Sequence, residues 1–369
     1  EAEGVKEVKF GIGLPLSGLM GTIVGIPAKY GFEFAAEKIG EFTVAGESYR
    51  WNLIILDNHW GGAGGVATAT KLIYEEGVKI MHQAGADAAA AAQDICEEAG
   101  VLLDVAGAGL AVLGPDKPHT FHTSPTYVLH TPVLFHWLTS HYPGVKTVAI
   151  AMSDDELGYA VADAAVPAAE HFGYDVVTVD YYPPETMEFY PLATKLVSKD
   201  PDLVIGHVLT LKPMKEMGWD GLTAFIGWTS GFGDIAGWEN VQGFLIYQPN
   251  PLGGDQPKPV RDFAREFRER YGASFTMCVW YSATILYVMT EALQKAGTVD
   301  DVDKIIEMLE TETFDTTVGP LRYGGEELDG IGHMLLWPAP IAEIRDHSYH
   351  VIAEYTPEQA EALAIEVYK

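Results

Sequence analysis

Residues 51–109, WNLIILDNHWGGAGGVATATKLIYEEGVKIMHQAGADAAAAAQDICEEAGVLLDVAGAG, contain the pattern that decides the fold. Three short apolar runs are typical of buried strands: Trp51–Leu56, Val78–Met81 and Val101–Val105. A glycine-rich turn at 61–65 leads into a predicted helix over 66–76, and an alanine-rich helix is predicted over 86–99. Strands that alternate with helices in this way indicate a parallel sheet with crossover helices.

The same alternation precedes this stretch and returns after it. A strand over Val8–Leu14, closed by Pro15, and a helix over Ala28–Ile39 come first. Further strands are predicted over Val145–Met152, Asp175–Asp180, Leu203–Ile205, Ala224–Gly227 and Phe244–Tyr247. Helices are predicted over 158–172, with Pro167 allowing only a kink or a late start, and over 192–198. Two α/β units therefore follow one another along the chain.

The last third has a different pattern. Three amphipathic or apolar helices follow one another without strands: Pro259–Tyr271, Trp280–Lys295 and Val302–Leu309. Such helices must cover a sheet that is built elsewhere in the chain. A short strand pair opens at Gly319–Tyr323, and a capping box at Thr356–Gln359, with Pro357 at the first helical position, begins a terminal helix.

The 369-residue chain is strongly acidic, with 23 Lys and Arg against 52 Asp and Glu, a formal net charge of −29. Non-specific nucleic-acid binding needs a net basic face, so the composition excludes that class. The charge also argues against docking on an anionic membrane surface. No apolar run approaches the ~20 residues of a membrane-spanning helix. At ~100–200 residues per domain, the length predicts two domains, and three stay open.

Two cysteines in a chain of this length exclude a disulfide-built scaffold. We predict that Cys96 and Cys278 are separate buried thiols, and a single bridge between them stays open as the alternative. The sequence begins Glu1-Ala2-Glu3, with no Met and no apolar targeting segment, which predicts a mature chain whose signal has been removed. The acid excess and scarce cysteine are typical of an exported bacterial protein.

Several segments together carry a resemblance to a known family. They are Pro15-Leu16-Ser17-Gly18 after the first strand, Asp57-Asn58 after the second, Val66-Ala67-Thr68-Ala69-Thr70-Lys71-Leu72 in the next helix, Gly77-Val78 before the third strand, and Gly319-Pro320-Leu321 late in the chain. In their order and spacing, the chain resembles type I periplasmic solute-binding proteins over almost its whole length. The similarity is to the leucine/isoleucine/valine-binding branch, which serves ABC importers.

The resemblance implies an α/β fold of two doubly wound Rossmann-like lobes, joined by three hinge crossings, with the ligand held between the lobes. It places the N-terminal lobe at 1–123 plus 251–333 and the C-terminal lobe at 124–250 plus 334–369. The crossings then fall near 121–125, 248–251 and 332–335. The helices of 259–309 would return to complete the first lobe. Ligands of parallel α/β sheets bind outside the carboxyl ends of the strands, which agrees with this arrangement.

In the first lobe, we expect two loops at strand ends to hold the ligand's carboxylate through backbone N–H groups. Their residues are Ala84, Gly85, Ala86 and Asp87, and Gly107, Ala108 and Gly109. Relatives that bind amino acids have a hydroxyl side chain in each loop, where this chain has Ala86 and Gly109. They also have an acid in the second lobe for the ammonium group, where this chain has Trp228 and Thr229. These departures argue against a standard α-amino acid, because an unpaired buried ammonium costs several kcal/mol.

Aromatic and imidazole side chains stand at the strand ends instead. They are His59 and Trp60; Leu157 and Tyr159; His207 and Thr210; Trp228, Thr229 and Phe232; and Cys278, Trp280 and Tyr281. As a set, they favour a planar or hydrophobic organic ligand, such as an aromatic carboxylate held by backbone N–H groups and a histidine. The alternative for any single aromatic residue is packing in the core.

The remaining motifs do not indicate a catalytic, metal or cofactor site. Five histidines between 119 and 141 have poor spacing for a metal site, and no catalytic set or cofactor fingerprint is present. We therefore expect no enzyme activity, no metal and no cofactor. The sequence predicts a monomeric periplasmic or cell-surface protein that gives a small ligand to the membrane subunits of an ABC importer by hinge closure. A sensor or chemoreceptor domain, a branched-chain amino acid binder and an α/β enzyme stay open as alternatives.

Overall fold

The computed structural model describes residues 4–107, 109–184, 186–227, 230–251 and 256–369. The chain divides into two compact units. The first comprises Glu1–Thr126 and Pro257–Leu336, and the second comprises Tyr127–Gln256 and Trp337–Lys369. The chain therefore passes three times from one unit to the other, after residues 126, 256 and 336. The sequence analysis places these boundaries after 123, 250 and 333.

The described residues up to Phe121 build the main sheet of the first unit. Its strands are β1 Lys6–Leu14, β2 Phe42–Val44, β3 Glu47–Asp57, β4 Ile80–Ala84, β5 Leu102–Ala106 and β6 Thr120–Phe121. The helices are α1 Gly18–Met20, α2 Ile26–Ile39, α3 Gly62–Thr70 and α4 Ala86–Ala99. The strands lie in the order β2-β3-β1-β4-β5-β6, and all but the edge strand β2 are parallel.

The second unit is built around a sheet that alternates with helices in the same way. Its elements in this part are α5 Tyr127–His141, β7 Thr147–Ser153, α6 Glu156–His171, β8 Asp175–Tyr182, α7 Tyr190–Val197, β9 Leu203–Gly206, α8 Leu211–Glu216, β10 Leu222–Phe225, α9 Ser230–Ala236 and β11 Leu245–Ile246. The strand order is β16-β15-β11-β10-β9-β7-β8, with β7 to β11 parallel.

The helical segment after residue 256 belongs to the first unit. It contains α10 Lys258–Tyr271, α11 Met277–Ala296, α12 Val302–Thr311, β12 Thr313–Thr316, β13 Gly319–Gly324, α13 Glu326–Asp329 and β14 Met334–Leu335. The chain then enters the second unit again with β15 Ala339–Arg345, β16 Ser348–Tyr355 and α14 Pro357–Tyr368. Close packing of α11 on α2 depends on Gly31, where a Cβ atom would lie 2.4 Å from the carbonyl oxygen of Val279.

The structure differs from the predicted elements most clearly at four places. Helix α3 begins at Gly62, inside the predicted glycine-rich turn, because Gly64 and Gly65 allow close packing rather than a turn. Helix α5 is missed because it is buried on nearly all sides and has no polar stripe. The antiparallel hairpin β15–β16 is missed as well. Helix α6 begins earlier than predicted, at Glu156 after the capping residue Asp155, and continues through Pro167.

Two further observations concern the cysteines and the length of the helices. Cys96 and Cys278 are both free thiols, so the alternative of a bridge between them is excluded. No helix within the described residues combines the length and the apolar character needed to cross a membrane.

The capping box predicted for the terminal helix is present and gives a stability test. The Thr356 hydroxyl accepts the N–H of Gln359, whose side chain accepts the N–H of Thr356. We expect Thr356→Ala to lower the free energy of unfolding by about 1 kcal/mol, measured by urea titration. Thr356→Ser keeps a hydroxyl at the same place and should lower the free energy of unfolding much less. Equal losses for the two variants would contradict a capping role.

Candidate ligand site

The carboxyl end of the first unit's sheet brings together most of the residues predicted there. His59 and Trp60 follow β3, and Gly85 follows β4 at the start of α4. The indole of Trp60 lies against Gly85, where a Cβ atom would be 2.9 Å from the Cε3 atom of Trp60. Gly107 and Gly109 follow β5. Strands β4 and β5 pair up to their last residues, Ala84 and Ala106, so the loops that follow them begin side by side. Ala108 lies outside the described residues.

The loop after β3 is strained at two consecutive residues. His59 has φ +53° and Trp60 has φ +59°, in the left-handed region that favours glycine. The side chains of the two preceding residues hold this conformation: the N–H of His59 donates to Asp57 Oδ1 at 2.9 Å, and that of Trp60 to Asn58 Oδ1 at 3.0 Å. Each such residue costs roughly 1–2 kcal/mol. Strain of this kind is typical of functional sites, where it fixes side chains that a relaxed loop would not.

A buried amide network supports this loop from below. Asn58 is completely buried, and its Nδ2 atom donates to Gln83 Oε1 at 3.0 Å and to the carbonyl oxygen of Ala84 at 2.8 Å. Gln83 Nε2 in turn donates to Thr68 Oγ1 at 2.6 Å. Gly13 of β1 leaves room for the Gln83 side chain, since a Cβ atom at Gly13 would lie 2.0 Å from Gln83 Oε1. The network thus fixes the loop after β3 to strand β4.

Asn58 and Gln83 are the supporting residues that the sequence analysis does not assign to the site. Asn58 lies in the quoted segment Asp57-Asn58, where a polar amide directly after a buried strand is the only signal of its role. Gln83 lies inside β4, just before the predicted loop residues, and has no such signal. Which amide partners which becomes visible only once β3 and β4 are placed on either side of β1.

The imidazole of His59 is oriented and mostly exposed. Its Nδ1 atom lies 3.1 Å from Asp57 Oδ2 and 3.1 Å from Ser17 Oγ, and the side chain is 69% exposed. Burial opposes ionisation of Asp57, but hydrogen bonds from the N–H groups of Leu16 and His59 hold its pKa below the ordinary value. The carboxylate therefore fixes Nδ1 and leaves Nε2 of His59 as the atom that can meet a ligand.

Two helices begin beside His59 and Trp60 without a capping side chain. Helix α3 follows Gly61 and helix α4 follows Gly85, and neither glycine can satisfy the first N–H groups. The two helices pack closely, because Gly65 has no side chain where a Cβ atom would lie 2.2 Å from the carbonyl oxygen of Ala88. Ala86, the first residue of α4, and Gly109 carry no hydroxyl. The arrangement offers N–H groups and helix dipoles to an anion.

The second unit gives its predicted residues different surroundings. Thr210 is 2% exposed, and its hydroxyl donates to the carbonyl oxygen of His207 at 2.9 Å. Leu157 packs against the hydrophobic core. The hydroxyl of Tyr159 donates to Asp154, which raises the pKa of Tyr159 to about 12. Trp228 and Thr229 lie outside the described residues. We keep Tyr159 and His207 as candidates and leave out Thr210 and Leu157, which have packing roles.

His207 follows β9 directly and is held in an aromatic cluster. Its ring lies edge-on to Phe225, with centroids 5.3 Å apart, and to Phe232, at 4.8 Å. The N–H of Leu209 donates to His207 Nδ1 at 3.3 Å. Burial lowers the pKa of His207 to about 4, so the ring is neutral near pH 7.

The predicted group on α11 is mainly structural. Trp280 is 2% exposed, and its indole N–H donates to Thr317 Oγ1 at 2.7 Å. Tyr281 lies beside it, with ring centroids 6.1 Å apart. Cys278 Sγ is 3.8 Å from the carbonyl oxygen of Ile23, and burial raises the pKa of the thiol to about 12. A thiol with so high a pKa is unreactive at neutral pH. Trp280 therefore belongs to the core of the first unit, and we leave it out of the site.

The histidines of 119–141 have separate partners. His119 Nδ1 lies 2.7 Å from Glu97, His122 Nδ1 lies 2.9 Å from the carbonyl oxygen of Ser124, and His136 Nδ1 lies 3.1 Å from the hydroxyl of Tyr355. No group of three potential metal ligands occurs among the described residues.

The strained loop predicts a trade-off between stability and binding. We expect His59→Gly to raise the free energy of unfolding by about 1 kcal/mol, because glycine adopts positive φ without strain. Ala45 is a matched control, since it is exposed, lies in the turn between β2 and β3 and has φ +50°. Ala45→Gly should stabilise to a similar extent and leave ligand affinity unchanged, whereas His59→Gly should weaken it. Urea titration and calorimetry of both variants check this, and destabilisation by His59→Gly would contradict it.

The lowered pKa of His207 predicts that the stability of the protein depends on pH. The folded chain resists protonation of His207 until about pH 4, while the unfolded chain takes up the proton near 6.5. The free energy of unfolding should therefore fall relative to His207→Gln as the pH falls from about 6.5 to about 4. The effect should be no more than about 3 kcal/mol. Urea titrations of both proteins across this range check it; a pH-independent difference would show that the ring is not kept neutral.

Comparisons with known proteins point to one family and one fold. The profile described as periplasmic binding protein matches residues 7–344. No curated protein matches the sequence. A leucine binding protein from Thermotoga maritima is 18% identical, with a TM-score of 0.81, over 95% of this chain and 99% of that chain.

Two similar structures are ABC transporter solute binding proteins from Rhodopseudomonas palustris. One, in complex with benzoate, is 17% identical with a TM-score of 0.81, over 96% of this chain and 97% of that chain. The other, in complex with 4-hydroxybenzoate, is 19% identical with a TM-score of 0.81, over 95% and 97% of the two chains. At these identities, the likeness shows a shared fold.

Proposed function

Since the chain belongs to the periplasmic binding protein family, we propose that it is an exported solute-binding protein that captures a small aromatic carboxylate and delivers it to an ABC importer. The family consists of binding proteins rather than enzymes, and the proposal includes no chemical step. The observation that supports the ligand class is in the first unit, where two helices without a capping side chain begin beside an oriented histidine.

The carboxylate is assigned to the starts of α3 and α4. Backbone N–H groups at a helix start, together with the helix dipole, stabilise an anion without any basic side chain. Asp57 accepts the proton of His59 Nδ1, so Nε2 adds a second N–H donor to the ligand carboxylate when the imidazole carries both protons. Gly61 and Gly85 allow the ligand to approach the backbone closely.

The ring of the ligand is assigned to Trp60. Its indole is fixed by a strained backbone and by contact with Gly85. A preorganised aromatic face binds a planar ligand with little loss of conformational entropy. Similar structures with benzoate and 4-hydroxybenzoate bound support a ligand of this size and shape.

An α-amino acid fits the described residues less well. Ala86 and Gly109 of the first unit offer no hydroxyl to its carboxylate. A leucine-binding protein shares the fold, so leucine belongs in any test. In the proposed mode, ligand binding biases the chain toward a closed form that the importer recognises. We propose a monomer in the periplasm or at the cell surface.

A ligand screen by thermal shift tests the proposed class. We expect benzoate and hydroxybenzoates to raise the melting temperature, since a ligand at ~100 times its Kd adds about 2.7 kcal/mol. Benzamide matches benzoate in shape but lacks the charge, and it should give no shift. Leucine and the other standard amino acids should give none either. A shift with amino acids and none with aromatic acids would overturn the ligand class while leaving the family unaffected.

Calorimetry on variants tests the place of the site. His59→Ala should weaken benzoate binding about tenfold, as expected for the loss of one hydrogen bond to a charged group. His171→Ala is the matched control, because His171 is a surface histidine of α6 that pairs with Glu366. Unchanged affinity in His59→Ala would move the carboxylate away from this loop.

A further inference from the structure

We infer that the chain takes up a proton when it binds its carboxylate ligand, and that Nε2 of His59 receives this proton. The inference rests on the proposed function and adds a pH dependence to the same site. It involves residues of the first unit alone. It follows from the charges that this end of the sheet can supply and from the hydrogen bonds that orient the His59 ring.

The segments at the carboxyl end of the first unit's sheet contain no lysine and no arginine. They follow β1, β3, β4 and β5, which are neighbours in the sheet, and their residues are 15–25, 58–70, 84–93 and 107–115. The ionisable side chains in these segments are His59 and Asp87. His59 is therefore the one side chain of these segments that can carry a positive charge.

A positive charge at this place favours capture of an anion. The whole chain has a formal net charge of −29, which repels an anionic ligand. The start of a helix offers the equivalent of only about half a positive charge. A protonated imidazole adds a full charge, together with a hydrogen bond that is stronger than one between neutral groups.

The hydrogen bonds of the His59 ring decide which nitrogen atom takes the proton. Asp57 Oδ2 lies 3.1 Å from Nδ1, and hydrogen bonds from the N–H groups of Leu16 and His59 hold the pKa of Asp57 below its ordinary value. Asp57 is therefore a carboxylate near pH 7 and can only accept, so Nδ1 carries the single proton of the neutral ring. The recorded polar contacts of the ring, with Asp57 and Ser17, both involve Nδ1.

In the neutral ring, Nε2 thus presents a lone pair to a ligand carboxylate. The lone pair repels the oxygen atoms of the anion, so the neutral ring disfavours the complex. When Nε2 takes a proton from the solvent, the same atom becomes an N–H donor, and the imidazolium ring lies between the carboxylate of Asp57 and that of the ligand. Since the bound anion stabilises the protonated ring, the ligand and the proton bind cooperatively.

The acidic groups near His59 do not account for this coupling. Asp57 contacts the ring, and Asp87 lies in the first turn of α4, at the same end of the sheet. Both favour the protonated ring, but they are present with and without the ligand. The change in proton affinity on binding therefore comes from the carboxylate of the ligand.

Calorimetry in buffers that differ in ionisation enthalpy is the first test. Benzoate is the probe, because its carboxyl group stays ionised between about pH 6 and about pH 8, where a histidine can change its charge. We expect uptake of up to about one proton per ligand, and an association constant that rises by up to about tenfold per pH unit as the pH falls.

Two outcomes would contradict the inference in different ways. If benzoate binds with the same affinity across this pH range and no proton is exchanged, the inference about His59 is wrong while the proposed function stands. If neither benzoate nor a hydroxybenzoate binds at any pH, the proposed function itself fails, and the inference fails with it.

A pair of variants assigns the proton to His59. Glutamine offers a neutral N–H donor but does not titrate, so His59→Gln should bind benzoate with an affinity that does not depend on pH and without proton uptake. His171→Ala is the matched control, because His171 is a surface histidine that pairs with Glu366, and it should keep the full uptake. Proton uptake that survives in His59→Gln would overturn the inference. Circular dichroism must first show that both variants are folded.

The ring proton signals of His59 in NMR spectra give a second readout that needs no change of this residue for the measurement itself. Saturating benzoate should move the pH titration of these signals to higher pH, because the bound anion stabilises the protonated ring. His59→Gln identifies the signals by their loss. A titration that benzoate leaves unmoved would overturn the inference.

Discussion

The buried hydrogen bonds that Asn58 donates to Gln83 and to the carbonyl oxygen of Ala84 are the constraint on which the candidate ligand site depends. They join the ends of β3 and β4 across β1, in the interior of the first unit. A buried amide without a partner costs ~1–3 kcal/mol, so the two side chains lock each other in place. With Asn58 fixed, its side chain can hold the N–H of Trp60, and the left-handed backbone that aims the indole at Gly85 follows. Buried hydrogen bonds thus fix the positions of the Trp60 indole and of the backbone around it.

The alternation of strands and helices could be predicted because it is local. Helix α4 has the predicted bounds, Ala86–Ala99, since its alanines are strong helix formers and Gly85 and Gly100 flank it. Helix α5 could not be predicted in this way, because a helix buried on nearly every side has no polar stripe. The glycines of 61–65 predict a turn when only the local sequence is considered. In the structure, they allow α3 to pack closely against Asn58 and Ala88.

The same distinction applies to the site. The sequence could place His59, Trp60 and Gly85 at strand ends, because the ends of parallel strands share one edge of a sheet. The sequence could not distinguish Trp280 from these residues. A tryptophan at this position could equally contact a ligand or, as the structure shows, donate its indole N–H to Thr317 inside the unit. The contact between His207 Nδ1 and the N–H of Leu209, two positions later in a tight turn, is likewise not revealed by periodicity.

The backbone contact between Gly65 and Ala88 also bears on how such a protein could change its ligand. The two helix starts are held by main-chain atoms in contact, so no side-chain substitution can spread them without breaking the packing. The backbone that we propose as the anion site therefore depends little on side-chain identity, whereas His59 and Trp60 are separate side chains that can be exchanged one at a time. Evolution or a designer could then alter the preference for the ring of a ligand more easily than the preference for its acid group. A library aimed at new ligands should vary those two positions and keep the glycines and alanines of α3 and α4.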